Sequence, residues 1–192
     1  MTGMSIGFAL FATAIGECAI AWNEVGLTGV WLPETSPARL RARIVQRRSD
    51  AAEAKPVGEN ADAVTGIAAL LRGERTDLTG IRIDDVLLEN LDRRVYRTAR
   101  TIPPGRVVTY AALAERVGQA VSAREVGRSL GRNPFPLVVP CHRIVAASGQ
   151  LGGFSAPGGA ATKRRLLTIE DSRLDGASDL FETPELSEPP TH

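Results

Sequence analysis

The stretch Val138-Val139-Pro140-Cys141-His142-Arg143-Ile144-Val145 decides how the second half of the chain is read. A cysteine followed directly by a histidine sits between two short β-branched apolar runs. That pattern predicts a strand, a sharp turn carrying the thiol, and a second strand leaving it. Pro140 fixes its own φ and removes a backbone donor, which stiffens the chain just before the thiol. A thiolate is a far better nucleophile than a thiol, and a nearby imidazole that accepts the proton makes thiolate available near neutral pH. An inert buried cysteine beside a surface histidine is the bland alternative. The flanking residues decide between the two.

Upstream, Ser122-Ala123-Arg124-Glu125 is a capping-box pattern that opens a helix through about Leu130. Gly131-Arg132-Asn133-Pro134-Phe135-Pro136 closes it and delivers the chain to the Cys-His segment. A short helix from Ala111 to Val117 precedes it, with the turn Gly118-Gln119-Ala120-Val121 between. Two short helices about a tight turn, the second carrying Arg124 and Arg128 with Arg132 trailing, form a helix-turn-helix pattern. Before them, a helix from Val86 to Arg100 places Leu87, Leu91, Val95 and Tyr96 inward, and Thr101-Ile102-Pro103-Pro104-Gly105 ends it. Downstream, Ser148 to Gly159 is a glycine-rich loop whose small residues let backbone approach a flat ligand. A last helix, Ala160 to Glu170, turns Leu166, Leu167 and Ile169 inward. Residues 171–192 are acidic and aperiodic, which predicts a disordered tail.

Charge separates the two halves. Leu91 to Glu170 carries 13 Lys/Arg against 4 Asp/Glu, a net +9, so the chain's total of +1 leaves −8 for the rest. A basic segment of this kind points to a polyanion, nucleic acid first. No apolar run is long enough to span a bilayer, and the mildly apolar start lacks a basic n-region, so no signal peptide is expected. The two cysteines, Cys18 and Cys141, are therefore expected as free thiols in a reducing cytoplasm. Two histidines and two distant cysteines do not make a zinc site, so no metal and no cofactor is expected.

The N-terminal half reads as structural. GFALFAT, ECAIAW and LTGVWL are strand-like runs within residues 6–33, with Cys18 as a small core residue. Ser36-Pro37 gives an N-cap and a proline at the first helical position of a helix to about Arg48. Residues 49–60 read as a polar linker, Ala61 to Arg72 as a helix, and Leu78 to Ile83 as a short strand.

Arg124-(x)3-Arg128-(x)3-Arg132-Asn133-Pro134-(x)-Pro136, followed by Pro140-Cys141-His142-Arg143-Ile144, resembles the O6-alkylguanine-DNA alkyltransferases, also called methylated-DNA–protein-cysteine methyltransferases. The resemblance runs from about Arg94 to Glu170 and includes Pro104-Gly105, Thr109-Tyr110, Ser155 and Glu170. It implies an α+β fold: a small N-terminal antiparallel sheet with helices over 1–85, and a mostly helical 86–170 with a winged helix-turn-helix-like motif. It implies repair of DNA in one irreversible step, an alkyl group passing from O6-alkylguanine, or O4-alkylthymine, to the protein's own cysteine. The partner would be double-stranded DNA with alkylated bases, and the protein a monomer.

The same resemblance implies roles residue by residue. Cys141 is the acceptor; His142 takes its proton through a water; Glu170 orients His142. Tyr110 donates to the base and turns its phosphate. Arg124, with Ala123 and Arg128 on the same helix, fills the gap in the stack and meets phosphate. Asn133 braces the reactive turn. Pro136, Val139 and Phe154 shape the pocket, and backbone groups at Cys141, Ile144 and Ser155 read the edge of the flipped base. Two departures stand out: Phe154 replaces a tyrosine found in many members, and Ile83-Asp84-Asp85-Val86 replaces their Gly-Thr-x-Phe-Gln run. The competing readings are a non-catalytic binder of alkylated DNA, a helix-turn-helix regulator and a cysteine hydrolase.

Overall fold

The computed structural model describes residues 6–86, 88–118, 120–147 and 150–172; the expected tail from residue 173 on lies outside them, as does Leu87. Strands β1 (Ile6–Thr13), β2 (Gly16–Trp22) and β3 (Leu27–Trp31) form an antiparallel meander. Helix α1 (Pro37–Arg47) follows, with Ser36 accepting from the Arg39 amide at 3.3 Å and Pro37 at the first turn. Residues 49–60 are not wholly a linker: β4 (Ala51–Glu53) pairs parallel with β1 and completes the sheet order β3-β2-β1-β4. An edge strand this short carries almost no apolar pattern, so composition hid it. Helix α2 (Glu59–Leu71) comes next. The expected strand Leu78–Ile83 is an irregular segment with one bridge, Leu27 to Ile83.

Helix α3 (Asn90–Arg100) starts four residues later than expected, because Glu89 stays extended as its N-cap. Strand β5 (Val108–Thr109) runs directly into α4 (Tyr110–Val117), whose N-cap Thr109 accepts from the Ala112 amide. After the turn, α5 (Ala123–Gly131) opens on a reciprocal capping box: Ser122 Oγ accepts from the Glu125 amide, and Glu125 accepts from the Ser122 amide. Such a cap contributes about 1 kcal/mol. Gly118 at the turn has φ +137°, a backbone conformation that a side chain would strain. Strand β6 (Ile144–Val145) pairs parallel with β5, and α6 (Gly159–Ile169) packs behind the reactive turn.

One apolar core joins the halves. Ile20 and Leu27 of the sheet, Leu32 just past it, Ile67 and Leu70 of α2, and Val95, Leu113, Val126 and Leu166 beyond belong to the same buried cluster. The Val30 amide also donates to the Pro134 carbonyl at 2.8 Å, tying β3 to the approach of the reactive segment. Cys18 is fully buried in this core, and burial pushes its thiol up to about 12. Among the described residues no helix is long and apolar enough to cross a membrane.

Candidate active site

The segment before Cys141 is a turn and not a strand. Pro134, Pro136 and Pro140 withhold three amides from any ladder. Asn133 supplies the missing bonds: its Oδ1 accepts from the Phe135 amide at 2.9 Å, and its Nδ2 donates to the Val139 carbonyl at 2.9 Å. Leu137 is driven into the left-handed region at φ 75°, held there by a side chain that is only 1% exposed. Cys141–Arg143 is then one turn of 3-10 helix leading into β6.

The Asn133 Nδ2 also lies 3.3 Å from Cys141 Sγ as a donor. Burial pushes the Cys141 thiol up; the Asn133 bond and the Lys163 ammonium pull the other way. The resting sulfur is therefore a protonated thiol that needs a base.

That base lies one residue on. His142 is fully buried, and burial holds its imidazole below the usual range, so it is neutral near pH 7. Its Nε2 lies 2.9 Å from Glu170 Oε1. Glu170 caps the C-terminus of α6. Burial pushes its carboxyl up, but bonds from His142 and Arg143 outweigh this and leave it at about 2. An ionised carboxylate only accepts, so Nε2 carries the proton and donates. Nδ1 is then an acceptor, buried and without a hydrogen-bond partner among the described residues. Arg143 forks onto the same carboxylate, Nε to Oε2 at 2.9 Å and Nη2 to Oε1 at 2.8 Å, and its Nη1 donates to the Ile102 carbonyl.

Tyr110 begins α4 and is half-buried; burial first, then Cys141, pushes its phenol up. Gly152, at φ +69°, brings its backbone so close that a Cβ would lie 3.0 Å from the ring. Lys163 stacks over the other part of this site, its Nζ 5.7 Å from the Tyr110 centroid and bonded to the Ile144 carbonyl at 2.5 Å. It is fully buried, and burial lowers its ammonium to about 8, with Cys141 opposing.

Two cavities meet at Cys141. The first, about 690 Å³, lies between α5 and the loop at Gly153–Ser155, with Tyr110, Ala123, Arg124 and Arg128 on its walls. The second, about 540 Å³, lies between that loop and the N-terminal half, with Pro136 on one wall and Arg43, Arg47 and Arg48 on another. Cys141, Phe154 and Ser155 line both. Val139 and Ile144 line neither: both side chains are fully buried in the core, and only their carbonyls serve the site. Arg132 leaves the α5 surface to grip Asp92, Nη2 to Oδ1 at 2.8 Å.

Sequence reasoning left Lys163, Arg143 and the α1 arginines without roles. The first was legible: Lys163, Leu166, Leu167 and Glu170 have i, i+3, i+4, i+7 spacing, so a lysine stands on the buried stripe of α6. The α1 arginines carry no such signal, because their place beside Cys141 arises only from the packing of the two halves.

A thiol at the root of a helix-turn-helix, with a buried histidine and carboxylate behind it, defines a class of protein that carries its own nucleophile on a nucleic-acid-binding element. Residues 90–172 match the family model described as 6-O-methylguanine DNA methyltransferase, DNA binding domain. A methylated-DNA–protein-cysteine methyltransferase of Mycolicibacterium paratuberculosis is 38% identical over 122 residues, 64% of this chain and 72% of that one. One from Methanothermobacter thermautotrophicus is 31% identical over 167 residues, 83% of this chain and 82% of that one. A crystal structure of Mycobacterium tuberculosis OGT in complex with DNA superposes with a TM-score of 0.68 at 29% identity, covering 86% of this chain and 92% of that one. The chain belongs to the methylated-DNA–protein-cysteine methyltransferase family. Its reaction is DNA repair by transfer of an alkyl group to a cysteine.

Proposed function

We propose that Cys141 is the acceptor, and that it takes the alkyl group from an O6-alkylated guanine swung out of duplex DNA. The observation that carries this is the His142–Glu170 bond: it fixes the proton on Nε2 and leaves buried Nδ1 as the acceptor beside a protonated thiol. A water between Sγ and Nδ1 passes the proton, since adjacent residues on a 3-10 turn need not touch. The O6 substituent is inaccessible in a stacked pair, so the base must be extruded, at a few kcal/mol. Exposed and without a partner among the described residues, Arg124 at the start of α5 fits the vacated place, its planar guanidinium stacking and its charge facing phosphate. In the pocket, thiolate attack forms the S–C bond as the C–O6 bond breaks, and the guanine oxygen leaves with a proton supplied from the Tyr110 side. Sulfide does not hydrolyse back, so each molecule acts once. The same reading makes the protein a cytoplasmic monomer acting on double-stranded DNA with alkylated bases, in keeping with its two free thiols.

A duplex bearing radiolabelled O6-methylguanine tests this. The expected result is one label per protein on Cys141, no second turnover, and loss of transfer in Cys141→Ala with DNA binding retained. Binding without transfer by the unaltered protein would favour the non-catalytic binder, and repeated turnover a hydrolase.

A further inference from the structure

The second cavity has walls that methyl transfer does not call for. At about 540 Å³ it far exceeds a methyl group, whose volume is comparable to the ~30 Å³ share of one water. Four arginines line it, Arg43, Arg47, Arg48 and Arg132, and no carboxylate does. Two of them are neutralised by neighbours, Arg43 by Glu34 and Arg132 by Asp92. Arg48 spends one N–H on the Thr28 carbonyl, and Arg47 has no partner among the described residues. Two positive charges therefore remain unbalanced against a cavity that Cys141 also lines.

In-line displacement fixes what enters. The attacked carbon must sit between Sγ and the departing O6, with the base held on the α5 side by the walls of the first cavity. The remainder of the substituent then points away from both, across the seam at Phe154 and Ser155 into the second cavity. We propose that Arg47 and Arg48 make this cavity selective for O6 substituents that end in a carboxylate. The proposal rests on Cys141 as acceptor. The chemistry is unchanged: the S–C bond forms, the C–O6 bond breaks with its electron pair on O6, and the thiol proton is in effect passed to guanine. A carboxyalkyl or carboxyaryl thioether remains on the protein.

Free bases keep DNA out of the measurement. The single-turnover rate of the full chain is measured with O6-(4-carboxybenzyl)guanine and with its neutral 4-carbamoyl counterpart, which matches it in size. The carboxylate is expected to react about fivefold faster at low salt, the upper end for a solvent-accessible ion pair. Arg47→Gln with Arg48→Gln should bring that ratio to about one. A ratio of one in the unaltered protein overturns the proposal, and so does a ratio that survives both substitutions. Weaker duplex binding with an unchanged ratio assigns the arginines to phosphate, which overturns it too. Failure of O6-benzylguanine to modify Cys141 while duplex O6-methylguanine still does overturns the proposal, whereas no transfer from either substrate would instead remove the reading of Cys141 as acceptor.

Discussion

Glu170 holds two cationic or polarisable partners with one carboxylate, and everything around it is buried. Removing its charge while keeping its shape isolates Arg143, which is 5% exposed and among the described residues has no other anion at hydrogen-bond distance. Breaking a buried pair from one side typically costs about 3–5 kcal/mol, because the remaining ion stays desolvated. Glu170→Gln should therefore lower unfolding free energy by about 3 kcal/mol in urea titration. It should also slow alkyl transfer, because the His142 tautomer is no longer imposed. A variant with wild-type stability would show that Arg143 finds its compensation elsewhere. At this scale the sequence was informative where a motif marks the residue, as with Cys141, His142 and Asn133. It was silent where burial decides, as with Val139, whose apolar side chain suits a pocket wall and a core equally well.

At the scale of elements, the helix-turn-helix was readable because its punctuation is chemical. Ser122 and Glu125 announce a start, and Gly118 a turn, through local bonds that need no tertiary context. The reactive segment was misread as a strand because β-branched residues suggest one, while three prolines and the Asn133 bracket are a stronger local instruction. The α5 helix also permits a clean separation of tasks. Arg124→Ala should slow repair in duplex DNA by tenfold or more, while reaction with free O6-benzylguanine changes little, since only the duplex has a gap to fill. Comparable losses on both substrates would place Arg124 in the chemistry and not in extrusion.

For the whole molecule, pH should act in one direction on the acid side. The Glu170 carboxyl sits at about 2 in the fold against an ordinary 4.5, so its contribution is complete above 4.5 and is lost as pH falls toward 2. The His142 imidazole is held below its ordinary 6.5, so the unfolded chain takes up a proton first, and stability declines as pH falls below 6.5. Thermal unfolding followed from pH 7 to pH 3 should give a midpoint that falls steadily, and His142→Gln should flatten the upper part of that slope. The overall α+β plan was legible from strand patterning and helix caps. The way the halves meet was not, since the core shared by Ile20, Ile67 and Leu113 is a property of packing. The bond from Val30 to Pro134 carries a practical consequence. The sheet performs no reaction, yet its edge is the jig against which the nucleophile's loop is set, and trimming the chain to its catalytic segment would discard the fixture along with the apparent ballast.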